Sequence, residues 1–314
     1  MQIVTLIIHL VLCYIFVITF DGREIGAALA TNVTYILNML GLEIYCCFSK
    51  SVKDTYIGGP DKRAFQNLGI FLAISVPGAL MNAFEWWCFE VLAIFAGLIS
   101  VEALAAQVIC GNIIMLIYMV ALGTSFAASA FTGYFLGQMK IDQAKKYSRL
   151  TILFNIIITV IIIIALIVLH DQIASLFTQD PATVEIVGQL IYFMTIFIFF
   201  DTIFGVQMGI IRGLGLQVIT AIYTLIVMYL IGLPLSLLFA FYLDTGVIGL
   251  WYGFTLAQVV LDLGYLFICE CPDWHRIAQK MQEKIDKEKN SQCLSMHADD
   301  LKDSEGAPIN IIED

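Results

Sequence analysis

Charge is scarce in this sequence: Asp, Glu, Lys and Arg make up 13% of its 314 residues, where a soluble domain carries about 25%. Beside an apolar share of 60%, that deficit excludes an ordinary water-soluble fold. Catalytic signatures are missing too. There is no HExxH, no GxSxG and no P-loop, and the four histidines are dispersed. The expectation is a protein that is not an enzyme, with no catalytic residue and no nucleotide-driven step of its own. The eight cysteines show no metal-ligand spacing, so neither a metal site nor a cofactor is expected. Excess basic charge is also lacking: the net charge is −10, and eleven of the 26 acids lie beyond Cys269. That describes a solvated tail and gives no nucleic-acid signal.

What is present is long apolar runs. Ile156 to Leu169 and Ile191 to Phe200 hold almost no polar side chain. Lipid offers the backbone no hydrogen-bond partner, so such runs cross a bilayer as helices. Hydropathy places eight spans at 2–20, 25–48, 68–98, 103–128, 148–169, 187–211, 216–242 and 247–269. The first has no basic residue ahead of it and is read as a membrane helix rather than a signal peptide. The connections sort by charge. Lys50, Lys53, Lys62, Arg63, Lys140, Lys145, Lys146, Arg149, Arg212 and the basic residues of the tail fall on one side. Asp21, Glu24, Glu102, Asp171, Asp180, Glu185 and Asp244 fall on the other, where Arg23 is the one basic residue. Cytoplasmic loops hold the Lys/Arg excess, which puts both termini in the cytoplasm of a multi-pass membrane protein.

Asp180-Pro181 reads as a helix start, and Pro77 and Pro234 lie inside spans, where membrane helices tolerate them. Trp274 to Lys289 is compatible with a short charged helix, and the acidic end from Asn290 to Asp314 with disorder. A repeat is also visible. The shift that carries Phe16 onto Phe239 also lays Asp21, Ile25, Gly26, Leu40 and Gly41 on Asp244, Ile248, Gly249, Leu263 and Gly264. The first two spans thus match the last two, which makes the repeat unit six helices, an even number, with parallel copies. The expected organisation is 1–50 as the last two helices of a first lobe, 51–67 as a cytoplasmic inter-lobe loop, 68–270 as a complete six-helix lobe and 271–314 as a polar tail. The first copy then lacks four helices ahead of Met1, to be supplied by a missing lobe or by self-association.

Acids inside apolar spans carry the chemistry: Glu85 and Glu90 in the third, Asp201 in the sixth. A charged acid at the bilayer centre costs roughly 2.5–3.5 kcal/mol on insertion scales, so it survives where it faces a cavity, finds a partner or holds a proton. Protons and other cations compete for such a site. Glu90 lies about 140° around the helix from Glu85 and does not share its face. It has a neighbouring helix as an alternative partner, and Asp201 has the alternative of binding two helices together. Asn82, Gln107, Asn112 and Tyr118 either line a cavity or bond between helices. Trp86 and Trp87 either stack on an organic cation or pack.

The segment Pro77 to Gln107, with Glu85-Trp86-Trp87-Cys88-Phe89-Glu90 and Ala105-Ala106-Gln107, resembles the seventh helix and following turn of eukaryotic multidrug and toxic compound extrusion proteins. Gly123 with Ala127-Ala128-Ser129, Gly209 to Gly215, Gly232-Leu233-Pro234 and Gly246 to Trp251 add to the likeness. The resemblance implies an all-α polytopic transporter of two six-helix lobes that exports small organic cations or xenobiotics in exchange for H⁺ or Na⁺ by alternating access. It implies that Glu85 is the cation- or proton-binding acid of the seventh helix, Glu90 the second acid there and Asp201 the acid of the tenth. Asn112 stands where some relatives carry a glutamate. Two other readings remain: a non-transporting or partner-dependent membrane subunit, and a lipid or polysaccharide flippase of the same superfamily.

Overall fold

The computed structural model describes residues 2–49, 68–177, 180–283 and 286, and every regular element among them is helical. The expected loop 51–67 and the acidic end of the tail fall outside the described residues. The chain divides into two compact units, Met1–Gly69 and Ile70–Asp314.

Among the described residues, seven helices are long and apolar enough to cross a membrane: Arg23–Phe48, Phe71–Ile99, Val101–Gly137, Ile141–Val168, Pro181–Leu214, Gln217–Tyr242 and Gly246–Glu270. The remaining expected span is a shorter apolar helix, Ile3–Thr19. At 1.5 Å per residue it reaches about 25 Å, against about 30 Å of hydrocarbon. The seven long helices have large apolar side chains on their outer faces, such as Ile157, Ile161 and Ile164. Exposure on that scale suits lipid and not water. Several helices outrun their apolar cores, because hydropathy marks the lipid-matched part while caps set the true ends. Arg212, assigned by hydropathy to a connection, therefore lies within a helix.

In the first unit, α1 (Gln2–Cys13) runs into a π-helical turn (Tyr14–Thr19) and α2 (Arg23–Phe48) packs back on it. His9 bonds Thr34 across the pair at 3.0 Å. The elbow between them is closed by bonds from Phe20 N to Ile15 O and from Gly22 N to Phe16 O, both 3.0 Å. Asp21 and Arg23 take left-handed φ of 48° and 44°.

The second unit ends in the same construction. A π turn (Leu238–Tyr242) leads into an elbow closed by Leu243 N to Leu238 O at 3.0 Å and Thr245 N to Phe239 O at 3.3 Å. Asp244 and Gly246 carry φ of 52° and 61°. Each bonded or left-handed position here is related to its counterpart by the shift that carries Phe16 onto Phe239. Gly26 and Gly249 are equivalent as well, since an added Cβ would meet the backbone of Phe16 or of Phe239 at less than 3 Å. The repeat seen in sequence is thus a repeat of backbone geometry, and short polar Asp suits the left-handed position.

The rest of the second unit consists of α3 (Leu68–Ile99), α4 (Val101–Gly137), α5 (Ile141–Val168), the short α6 (His170–Phe177), α7 (Pro181–Leu214), α8 (Gln217–Leu225), α9 (Leu233–Leu237) and α10 (Gly246–Glu270). A π turn, Ile226–Gly232, links α8 to α9 within the continuous helix Gln217–Tyr242, and Pro234 lies inside that helix just beyond the turn. Helix α6 has only eight residues, too few for a membrane-length hydropathy window to mark.

Helix α7 is the central element, packed on α4, α5 and α10. Its start is the expected one: Asp180 caps it by accepting from Thr183 N at 2.9 Å and from the Thr183 hydroxyl at 2.6 Å, and Pro181 follows. These donors hold the Asp180 carboxyl below its usual range. A lowered folded value means that the cap is at full strength above the ordinary carboxylate pKa of about 3.9 and fades as pH falls through the folded one. We expect Asp180→Ala to lower the thermal midpoint in detergent slightly and by the same amount from pH 5 to pH 8 (about one to four units above that value), with Asp180→Asn close to wild type. A midpoint difference that varied across that interval would refute it.

Against α4, α7 places Gly205, Gly209 and Gly213, four residues apart and so on one face. A Cβ on Gly209 would meet the carbonyl of Ser125, and one on Gly213 the side chain of Thr132, both at less than 3 Å. The helices touch backbone to backbone there. Ser125 donates to the carbonyl of Gly205, and Arg212 donates to Ser125 Oγ at 2.7 Å. From α5, Asn155 donates to Thr202 O and Thr159 bonds the Thr202 hydroxyl, each at 3.0 Å. These bonds fix the rotation of α7, and with it the direction of Asp201.

Candidate functional site: a cavity lined by acids

Helices α3, α4 and α7 line an open-mouthed cavity of about 230 Å³. Glu85, Trp86, Phe89, Glu90 and Ala93 face it from α3; Gln107, Asn112 and Tyr118 are among those facing it from α4; Asp201 closes it from α7. Taking Glu85 as zero on a helical wheel of about 100° per residue, Phe89, Ala93, Trp86 and Glu90 fall at about 40°, 80°, 100° and 140°. The two glutamates therefore stand on different faces, as their spacing requires, yet at the two edges of one concave arc. Glu90 turns to this cavity instead of a neighbouring helix.

Burial separates the acids. Glu85 is 4% exposed and Asp201 2%, whereas Glu90 is exposed at the rim. The Glu85 and Asp201 side chains come within hydrogen-bonding reach of one another across α3 and α7. Glu85 Oε2 and Asp201 Oδ1 have no hydrogen-bond partner. No cation neutralises them: the ion pairs among the described residues are Arg23–Asp21 and Arg149–Glu270, both at the surface. Two carboxyls bond to each other only when one carries a proton.

Seven of the nine residues singled out by sequence meet here: Glu85, Glu90, Asp201, Trp86, Gln107, Asn112 and Tyr118. Tyr118 directs its hydroxyl to Met208 Sδ at 3.9 Å, and Gln107 keeps its carbonyl oxygen unpartnered. Two expectations need correction. Asn82 is not in the lining, because it donates to Gly78 O of its own helix at 3.2 Å. Trp87 is not either: at about 200° from Glu85 it faces away, 54% exposed and edge-on to Phe84. One buried acid is missing from the sequence-derived set. Asp262, between Leu261 and Leu263 in α10, satisfies the same rule that picks out Asp201, and Gln258 one turn earlier is the second signal.

A polytopic helical membrane protein with paired acids in a three-helix cavity is the class that fold and site define. The MatE family model matches residues 77–238, just over half of the chain. The chain belongs to the multidrug and toxic compound extrusion (MatE) family. It is 30% identical over 267 residues to multidrug and toxin extrusion protein 1 of Oryctolagus cuniculus, covering 85% of this chain and 47% of that protein. It is 32% identical over 285 residues to protein DETOXIFICATION 16 of Arabidopsis thaliana, covering 90% and 58%. The crystal structure of the eukaryotic MATE transporter AtDTX14 superposes with a TM-score of 0.84 at 26% identity, over 90% of this chain and 63% of that one. The chain thus spans about half the length of the curated relatives it matches.

Proposed function

We propose that this chain exports small organic cations or xenobiotics as a secondary transporter, exchanging them for H⁺ or Na⁺ by alternating access. The observation that carries the reading is the contact between Glu85 and Asp201, two buried acids without a basic partner, in the wall of a cavity that also presents Trp86. A cationic guest over the indole face gains a cation–π contact. Its charge competes with the proton or metal ion held by the carboxyls, so loading of one displaces the other. Glu90 at the rim draws the guest in, and Gln107, Asn112 and Tyr118 offer neutral polar contacts. The membrane orientation in this reading follows the Lys/Arg sorting, with both termini in the cytoplasm.

The first unit repeats only the closing pair of the second. Transport by a two-lobed carrier therefore needs counterparts of α3, α4, α5 and α7 for the first lobe, from additional chain or from a second copy. Among the described residues the lining contains three acids and no Lys, Arg or His. That favours a cationic guest over the anionic head groups of a flippase.

Everted membrane vesicles carrying the chain test the reading. Loaded with acid or with Na⁺ inside, they are expected to accumulate a fluorescent organic cation, and to release it when both gradients are collapsed. Accumulation no greater than in empty vesicles, with the protein present and folded, would remove the transporter assignment and leave the membrane-subunit alternative.

A further inference from the structure

Away from the cavity lies a second buried polar cluster. Asp262 follows Gln258 by one turn on the buried face of α10, and the Gln207 side chain of α7 reaches the Asp262 carboxyl. Exposure is 6% for Asp262, 0% for Gln258 and 1% for Gln207. Each keeps an oxygen with no hydrogen-bond partner: Oδ1 of Asp262, Oε1 of Gln258 and Oε1 of Gln207. Nε2 of Gln258 is unpartnered too, so an amide oxygen is available there whichever way that amide is turned. None of the three lines the cavity of Glu85.

Native interiors rarely leave buried oxygens of this kind bare. An unpaired carboxylate in this setting needs either a proton or another cation. A proton satisfies Asp262 alone and leaves both amide oxygens as they are. A small hard cation satisfies all three, since carboxylate and carbonyl oxygens are the ligands such ions prefer. The single formal charge of the set matches a monovalent ion. Among the described residues no group of three or more His, Cys, Asp or Glu is placed to hold a more highly charged metal.

We propose that Asp262, Gln207 and Gln258 bind a small monovalent cation of the Na⁺ class, at a site separate from the Glu85–Asp201 pair. Asp262 lies near enough to Asp201 for their charges to interact. Within the exporter reading, this makes it an ion site coupled to the cavity; binding itself does not depend on that reading.

The test uses the purified chain in detergent at constant ionic strength, with NaCl replacing choline chloride and the thermal midpoint as readout. A ligand that binds the folded state raises the midpoint. To remove any contribution from the cavity acids, the titration is run in Glu85→Gln/Asp201→Asn. A saturable rise with Na⁺ is expected there. Adding Asp262→Asn is expected to raise the half-saturating concentration at least about tenfold, the loss of one charge-assisted contact. Gln258→Met, which keeps the volume and removes the oxygen, is expected to weaken it in the same direction and serves if the Asp262 variant does not fold. The proposal fails if Na⁺ has no effect beyond choline in the wild-type chain. It fails equally if the response vanishes in the double variant, or survives undiminished in both Asp262→Asn and Gln258→Met. Absence of transport in vesicles would leave these outcomes unaffected.

Discussion

Glu85→Gln is expected to abolish gradient-driven accumulation of an organic cation while leaving the protein folded. Glutamine keeps the volume of the side chain and still bonds to Asp201, so packing of α3 on α7 survives. What it loses is the capacity to gain and lose charge. A hydrogen bond to a charged group is worth about 1.5–3 kcal/mol net, which in affinity is about 10- to 100-fold. A cation or proton held by the pair is weakened by that factor, and exchange no longer pulls the guest. Asp201→Asn is expected to match it. Because the two acids act as one unit, the double variant should be little worse than either single one. Glu90→Gln, at the exposed rim, should cost only a few-fold. Wild-type accumulation by Glu85→Gln, at equal protein level in the vesicles, would end the assignment of this cavity.

Gly209→Ala is expected to be among the most damaging single methyls that can be added to this chain. The new Cβ would meet the Ser125 carbonyl, which is backbone and cannot swing away. Helices α4 and α7 would have to separate, at the upper end of the roughly 1–3 kcal/mol that overpacking costs. Separation would also strain the bonds among Ser125, Gly205 and Arg212 and turn Asp201 away from Glu85, so stability and transport should fall together. Gly133→Ala is the control, since nothing lies within 4 Å of its position. Alanine there should be neutral or stabilising by up to about 1 kcal/mol, from helix propensity. Equal thermal midpoints for the two variants in detergent would contradict the close approach of α4 and α7.

Some of this is legible in the residues and some is not. The long apolar spans and the helix start at Asp180-Pro181 follow from local chemistry, which a single sequence displays. Glu85 and Asp201 stand out because an acid in lipid-length apolar surroundings is too costly to be casual. The repeat shows as six identities, but the matching π turns and left-handed aspartates are tertiary facts that no identity encodes. Facing cannot be read reliably. A wheel angle of about 140° from Glu85 points Glu90 at another helix, yet a concave wall made of one helix takes in such an arc. Asn82 lies at a suitable angle but its amide is satisfied locally, and local satisfaction is invisible to spacing. Asp262 is a different case, since its neighbours Leu261 and Leu263 mark it as plainly as any.

All the walls of the acidic cavity, α3, α4 and α7, belong to a single compact unit. If that unit tilted as a body, as the proposed mechanism requires, Glu85, Asp201 and Trp86 would keep their mutual spacing, and the grip on a bound ion would not be reshaped by the movement. Only its access to water, and the local dielectric that follows, would be altered. Under the proposed alternating access, any directionality of pumping would come from the ion gradients outside and from what the other side of the opening presents, with this wall as an unchanging receptor seen in turn from two compartments.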